Sequence, residues 1–255
     1  MIEVWDVTLP ALTGGEPRRA YVYVPDSAEE DPERRYPVLY MFDGHNVFFD
    51  EDATYGKSWG LGEYLDATGT ELIVAAVECD NDPDNGRIKE YAPYPFSARG
   101  FGAIEARGPR TMDWLVNVFK REIDRSYPTL SDRGHTYVAG SSMGALMALY
   151  AVSCFSDTFS RAAALSPALE CGPRKLEEML RAASFPPDTV VYMDMGEAEL
   201  SRRGVARLFR QICDLLLKKG VKLTARIVPF GEHNEASWEK QLPFAIPALL
   251  YDPEG

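Results

Sequence analysis

Histidine and cysteine are scarce in this 255-residue chain, and neither is spaced to hold a metal. The three histidines, His45, His135 and His233, lie far apart and match no local zinc motif. The four cysteines, Cys79, Cys154, Cys171 and Cys213, include no CxxC pair, which excludes a zinc ribbon or a thioredoxin-type redox site. Four in 255 do not make a disulfide-dense scaffold, so reduced thiols in a cytoplasmic protein are the expectation. Positive charge is also short: 27 Lys and Arg against 39 Asp and Glu leave a formal net charge of −12. That balance argues against a nucleic-acid binder and against a polybasic membrane-surface protein. A long hydrophobic run is missing as well. The longest uncharged stretch, Thr136–Ser156, contains Gly140, Ser141, Ser142, Gly144 and Ser153. It reads as strand, turn and buried helix rather than as a membrane span. The opening MIEVWDVTLP has neither a basic n-region nor an apolar h-region, so no signal peptide is expected.

What is present is a regular alternation. Hydrophobic residues make up 45% of the chain, enough for one large core, and no linker, repeat or low-complexity tract divides it. A single domain over residues 1–255 is therefore expected. Strands are predicted at Glu3–Leu9, Arg19–Val24, Val38–Phe42, Leu72–Val77, Thr136–Ala139, Arg161–Leu165, Thr189–Met195 and Lys222–Val228. Several are continuous apolar runs, as strands covered on both faces require. The first two carry alternation and a Thr13-Gly14-Gly15 turn signal, which suits an antiparallel hairpin. Helices are predicted at Thr111–Arg125, Met143–Cys154, Arg174–Ala183, Ser201–Lys219 and Asn234–Tyr251, the last kinked or split by Pro243 and Pro247. Strand–helix alternation from residue 36 onward predicts an α/β fold, with a mostly parallel sheet of about eight strands between helical layers. The longest irregular segment, Asp80–Pro109, is of a length usually found in functional loops.

The pattern GxSxG occurs twice, where chance would supply about 0.1 matches in a chain of this length. Context separates the two. Gly140-Ser141-Ser142-Met143-Gly144 follows a strand and opens a helix, the setting in which a nucleophilic serine is held on a strained turn. The alternative, an ordinary Gly/Ser turn, is the weaker reading. Gly56-Lys57-Ser58-Trp59-Gly60 follows an acidic loop with no strand before it, and reads as a loop leading into a helix near Leu61.

A neutral serine needs a base, and the base needs an orienting acid. Of the three histidines only His233 follows Ser142, in a loop just past the last strand. The acid should come from Asp194-Met-Gly-Glu-Ala-Glu199, after the strand VVYMDM. Glu199, farther out on the loop, is modestly ahead of Asp194 by position, and Glu197 is expected to be solvated. The backbone N–H of Met143 can form half of an oxyanion hole, and the turn after Val38–Phe42 the other half, at His45 or Asn46 beside Gly44. His135 reads as an ordinary surface residue.

With these residues in view, the sequence resembles the esterase family of α/β-hydrolases that includes enterochelin, feruloyl and tributyrin esterases and S-formylglutathione hydrolase. The resemblance runs from about Tyr36 to Leu250. It rests on YPVLYMFDGHNVF, Arg87–Pro93, the run Asp132–Gly144, Leu165-Ser-Pro167, Gly196-Glu-Ala-Glu199 and Gly231-Glu-His233 with Trp238. It implies an α/β-hydrolase fold, Ser142 as nucleophile, His233 as base and, three residues after a glycine, Glu199 as acid. Ala145 departs from the second glycine of many members, a change small enough to leave the turn intact. The family's Arg-x-x-Glu-Tyr segment matches Arg87, Glu90 and Tyr91, where a structural ion pair competes with substrate contact as the reason for the charges.

The expected activity is serine carboxylic ester hydrolysis through an acyl-enzyme, on a small soluble ester, with no metal or organic cofactor. Only about twenty residues separate Pro167 from the next strand, so no large cap is expected, and the pocket should be shallow. Gly44, Arg87, Tyr91, Trp59, Tyr94 and Trp238 are its candidate walls. A siderophore-lactone esterase is the alternative enzyme, weakly disfavoured by the −12 charge unless Arg87 provides a local cationic patch. A catalytically silent ligand binder, an acyltransferase and a homo-oligomer all remain compatible with the sequence.

Overall fold

The computed structural model describes residues 1–98 and 100–251. Strands β1 (Ile2–Thr8), β2 (Pro17–Tyr23), β3 (Val38–Met41), β4 (Ile73–Val77), β7 (Thr136–Ser141), β8 (Arg161–Leu165), β9 (Val190–Gly196) and β10 (Lys222–Val228) form an eight-stranded sheet, and β5 (Phe96–Ala98) and β6 (Gly102–Ile104) form a separate hairpin. The sheet order is β1-β2-β4-β3-β7-β8-β9-β10. β2 is antiparallel to both β1 and β4, and the pairs from β4 through β10 are parallel. All eight predicted sheet strands are present, displaced by at most two residues at either end.

The two-residue period of the strands builds two cores. Tyr40, Ala75, Val138, Ala162, Ala164 and Met193 face the helices Gly108–Trp114, Lys120–Ser126, Met143–Cys154, Pro173–Ala182 and Val205–Lys218. Leu39, Met41, Val74, Ala139, Leu165 and Tyr192 face Leu61–Thr68 and Leu242–Leu250. Central β3 and β9 are buried at every position, whereas edge strands β1 and β10 are exposed or half-buried at all but one position each. Helix Met143–Cys154 carries no charge and is buried nearly all round, so apolar burial holds it in place. Leu146 and Leu149, both at 0% exposure, contribute about 1.5–3 kcal/mol each.

The departures have local causes. Helix 201–219 starts only at Val205, because Gly204 precedes it at φ 87°. The predicted terminal helix is split into Glu235–Glu239 and Leu242–Leu250, with Pro243 in the first turn of the second piece, where its missing N–H costs nothing. Within the segment predicted as irregular, the helix Gly86–Glu90 and the β5–β6 hairpin are too short to give a periodic signal. Between Pro167 and β9 there is one helix, Pro173–Ala182, and no cap. Among the described residues no helix is long and apolar enough to cross a membrane.

Candidate active site

Ser142 stands between β7 and the helix Met143–Cys154 at φ 56°, ψ −116°. A non-glycine residue there stores about 1–3 kcal/mol of strain, which the surrounding packing must hold. A Cβ on Gly140 would lie 2.7 Å from the carbonyl carbon of Gly144, so strand and helix meet at a distance only glycine permits. The Ser142 N–H donates to the Leu165 carbonyl at 3.0 Å, and its carbonyl accepts from Leu146 and Ala168. Both backbone groups are thereby fixed. Met143 opens the helix, where N–H groups have no intrahelical partner. The second GxSxG lies in a loop: Ser58 donates to Asp50, and Gly60 leads into the helix Leu61–Thr68.

His233 comes from the loop after β10, and Glu199 from the short helix Glu197–Leu200 that directly follows β9. The two segments are joined where Gly196 meets Gly231; a Cβ on Gly196 would lie 2.5 Å from the Gly231 oxygen. His233 Nδ1 lies 2.6 Å from Glu199 Oε1. A carboxylate can only accept, so the proton sits on Nδ1 and Nε2 is left as the acceptor. Glu199 Oε2 accepts from Ser166 Oγ at 2.6 Å and from Gly196 N at 2.9 Å. Burial opposes the Glu199 charge, but the donors from His233, Ser166 and Gly196 outweigh it and hold the carboxyl below the usual range. Asp194 remains inside β9. It accepts from Ser166 N and Tyr192 Oη and makes no contact with His233. Burial pushes its pKa up to about 6. Glu197 is exposed and accepts from Phe230 N. His135, half-buried, pairs with Asp132 away from this region.

Ser142 and His233 line the same two cavities, although no hydrogen bond joins them. Catalytic contacts are often loose without substrate. One cavity, of about 490 Å³, is the more polar of the two, with Asn46, Asn81, Asp82, Asn85 and Glu235 among its walls. The other, of about 620 Å³, is more apolar, with Ile88, Ala98, Phe101, Met143 and Cys171. Arg87 borders both, and Trp238 lines the polar one.

Four of the expected wall residues lie elsewhere. Gly44 packs under β4, where a Cβ would meet Val77 backbone at 2.9 Å. Trp59 is buried against Trp238, with ring centroids 6.1 Å apart. Tyr91 is buried; its hydroxyl accepts from Asp43 N, and the Arg87 guanidinium rests over its ring. Tyr94 likewise points inward, donating to the Cys171 carbonyl. Neither Arg87 nor Glu90 pairs with the other. Arg87 grips buried Asp43 through two bonds of 2.6 and 2.7 Å, and Glu90 pairs with Arg18 at 2.7 Å. Of the candidate oxyanion donors, Asn46 N–H is committed to the Asp43 carbonyl at 2.8 Å.

Sequence reasoning missed Glu235 and Ser166. Glu235 faces the polar cavity and is held by Asn46; its burial raises its pKa. The only signal for Ser166 was its place in Leu165-Ser-Pro167. Asp43, His45 and Cys79 also gather, with donor atoms within 4.8 Å of one another. Arg87 takes both Asp43 oxygens and burial pushes the Cys79 thiol well up, whereas the buried Nδ1 of His45 has no hydrogen-bond partner among the described residues.

Residues 12–252 match the model of the family described as "Putative esterase". The chain belongs to this esterase family. No curated protein matches it in sequence. Among solved structures, it is similar to a ferulic acid esterase, with TM-score 0.72, 18% identity, and coverage of 98% of this chain and 97% of that one. An IroE-like serine hydrolase from Shewanella oneidensis has TM-score 0.75 and 18% identity, covering 96% of this chain and 79% of that one. An S-formylglutathione hydrolase from Agrobacterium tumefaciens has TM-score 0.66 and 17% identity, covering 98% and 95%. These likenesses agree with the mostly parallel eight-stranded sheet described above.

Proposed function

We propose that this esterase-family protein hydrolyses a small carboxylic ester with Ser142 as nucleophile, His233 as general base and Glu199 as the orienting acid. The observation that carries the reading is His233, held through Nδ1 by buried Glu199 and sharing both cavities with the strained Ser142. The base is thus in the tautomer that accepts a proton at Nε2. As Ser142 Oγ attacks the carbonyl carbon, its proton passes to Nε2, and Glu199 stabilises the imidazolium. The developing oxyanion is met by the N–H of Met143 and, with Asn46 N–H already committed, by that of His45. His233 then protonates the departing alcohol, and water releases the acyl group by the same roles in reverse.

The two unequal cavities suit an ester with one apolar and one polar half. A highly anionic siderophore is less well served, because the cation that both cavities share, Arg87, is cancelled by Asp43. Turnover of p-nitrophenyl acetate and butyrate by wild type and Ser142→Ala tests the reading. Loss of turnover, and of fluorophosphonate labelling, is expected in the variant; wild-type rates in folded Ser142→Ala would refute the nucleophile assignment.

A further inference from the structure

We propose that Ser166 is a positioning residue for the triad, holding Glu199 so that one carboxylate oxygen is reserved for His233. The inference rests on the triad reading above. Ser166 follows β8, is 2% exposed and has φ 46°, a conformation in which glycine would be unstrained. Its hydroxyl makes two contacts. Trp238 Nε1 lies 3.1 Å away, and an indole N–H can only donate, so Ser166 Oγ accepts there. Its single proton is therefore directed to Glu199 Oε2, at 2.6 Å. With Gly196 N–H on the same oxygen, Oε2 is pinned twice and Oε1 remains for His233 Nδ1. Trp238 also stands edge-on to the imidazole, with centroids 5.1 Å apart and an 80° interplanar angle. One indole thus abuts the base and sets the proton direction of the group that anchors the acid. Glycine would suit the backbone better, so the serine is explained by its hydroxyl.

The test compares Ser166→Ala with Ser166→Gly. Both remove the hydroxyl, but only the second relieves the positive φ. Both should lower kcat about tenfold with KM within twofold of wild type, a loss of reaction geometry rather than of binding. The acid limb of kcat/KM should move upward by about half a pH unit, because a carboxylate with fewer donors is more basic and favours the imidazolium. The other charged groups near the pair, Asp194, Arg202 and Glu235, are the same in both variants. Wild-type kcat and an unmoved limb in either folded variant would overturn the proposal. So would recovery of activity in Ser166→Gly alone, which would mark a backbone role. If neither variant folds, Trp238→Phe decides: it keeps an aromatic ring but removes the indole N–H, frees the hydroxyl to turn, and should lower kcat with the same direction of limb shift. An unchanged pH profile there would sink the idea. Full activity in Ser142→Ala would instead remove the triad reading itself.

Discussion

Replacing Glu199 by Gln keeps its shape and removes only its charge and one acceptor, and the structure dictates how the amide must sit. Two donors, Ser166 O–H and Gly196 N–H, point at the Oε2 position, and one, His233 Nδ1–H, points at Oε1. If the amide oxygen faces His233, the NH₂ faces the Gly196 N–H, leaving a buried donor unpaired at a cost of about 1–3 kcal/mol. If the amide oxygen takes the Oε2 position, both of those donors are satisfied. The NH₂ then faces Nδ1 and forces the imidazole proton onto Nε2. The second seating is favoured by that same margin, roughly 5–150-fold, and in it the imidazole cannot accept the Ser142 proton. Adding the lost stabilisation of the imidazolium, kcat/KM should fall about 10³–10⁴-fold, or about 4–5.5 kcal/mol in the barrier. KM should change little, since Glu199 is 4% exposed and lines neither cavity. Initial rates on p-nitrophenyl butyrate, with the rate of fluorophosphonate labelling, measure this. A loss smaller than tenfold in folded Glu199→Gln would refute the assignment of the acid.

Two further outcomes concern buried charge. Asp194→Asn should leave activity within about tenfold and raise Tm at pH 8, because its amide can still accept from Ser166 N and donate to the Tyr192 hydroxyl. The folded pKa of about 6 lies above the ordinary value of 3.8, so the native state binds the extra proton. Wild-type stability therefore falls as pH rises from about 4 to 6, by at most about 3 kcal/mol, and the gain in the variant should vanish near pH 4 in thermal melts across that range. Arg87→Met strands the Asp43 carboxylate, whose pKa is held down against burial by that guanidinium. It should cost about 3 kcal/mol at pH 8 and less at pH 5, where Asp43 can then take a proton; equal losses at both pH values by denaturant unfolding would contradict the pairing.

Much of the architecture is legible along the chain because the central strands are apolar on both faces and the helix Met143–Cys154 has no charged face. Burial alone assigns such segments. The turn at Ser142 is equally local: Gly140 and Gly144 flank it and permit the close strand–helix approach. Chain order leaves His233 as the histidine that can follow the serine. The choice between Glu199 and Asp194 stays open in the sequence, since both are carboxylates at the end of one strand. It depends on where the loop after β9 turns, which the Gly196–Gly231 contact decides.

The pocket walls were the least legible. Trp59 and Tyr91 are large apolar residues beside the motif, and sequence cannot say whether such a side chain faces a cavity or a core. Here both face inward, one tilted against Trp238 and the other beneath Arg87. Arg87 could equally have met Glu90 or a substrate; the fold places Asp43 within 2.6 Å instead, joining residues 44 positions apart. Ser166 and Trp238 are 72 positions apart, and the two motifs that carry them do not show that their side chains meet. By itself, then, the sequence determined the sheet, the serine turn and the eligible histidine, because these follow from local periodicity, glycine sterics and chain order. Only the tertiary structure decided which carboxylate meets that histidine, which charges pair and which hydroxyl bonds that carboxylate, because hydrogen-bond pairing depends on ångström distances between segments that are remote along the chain.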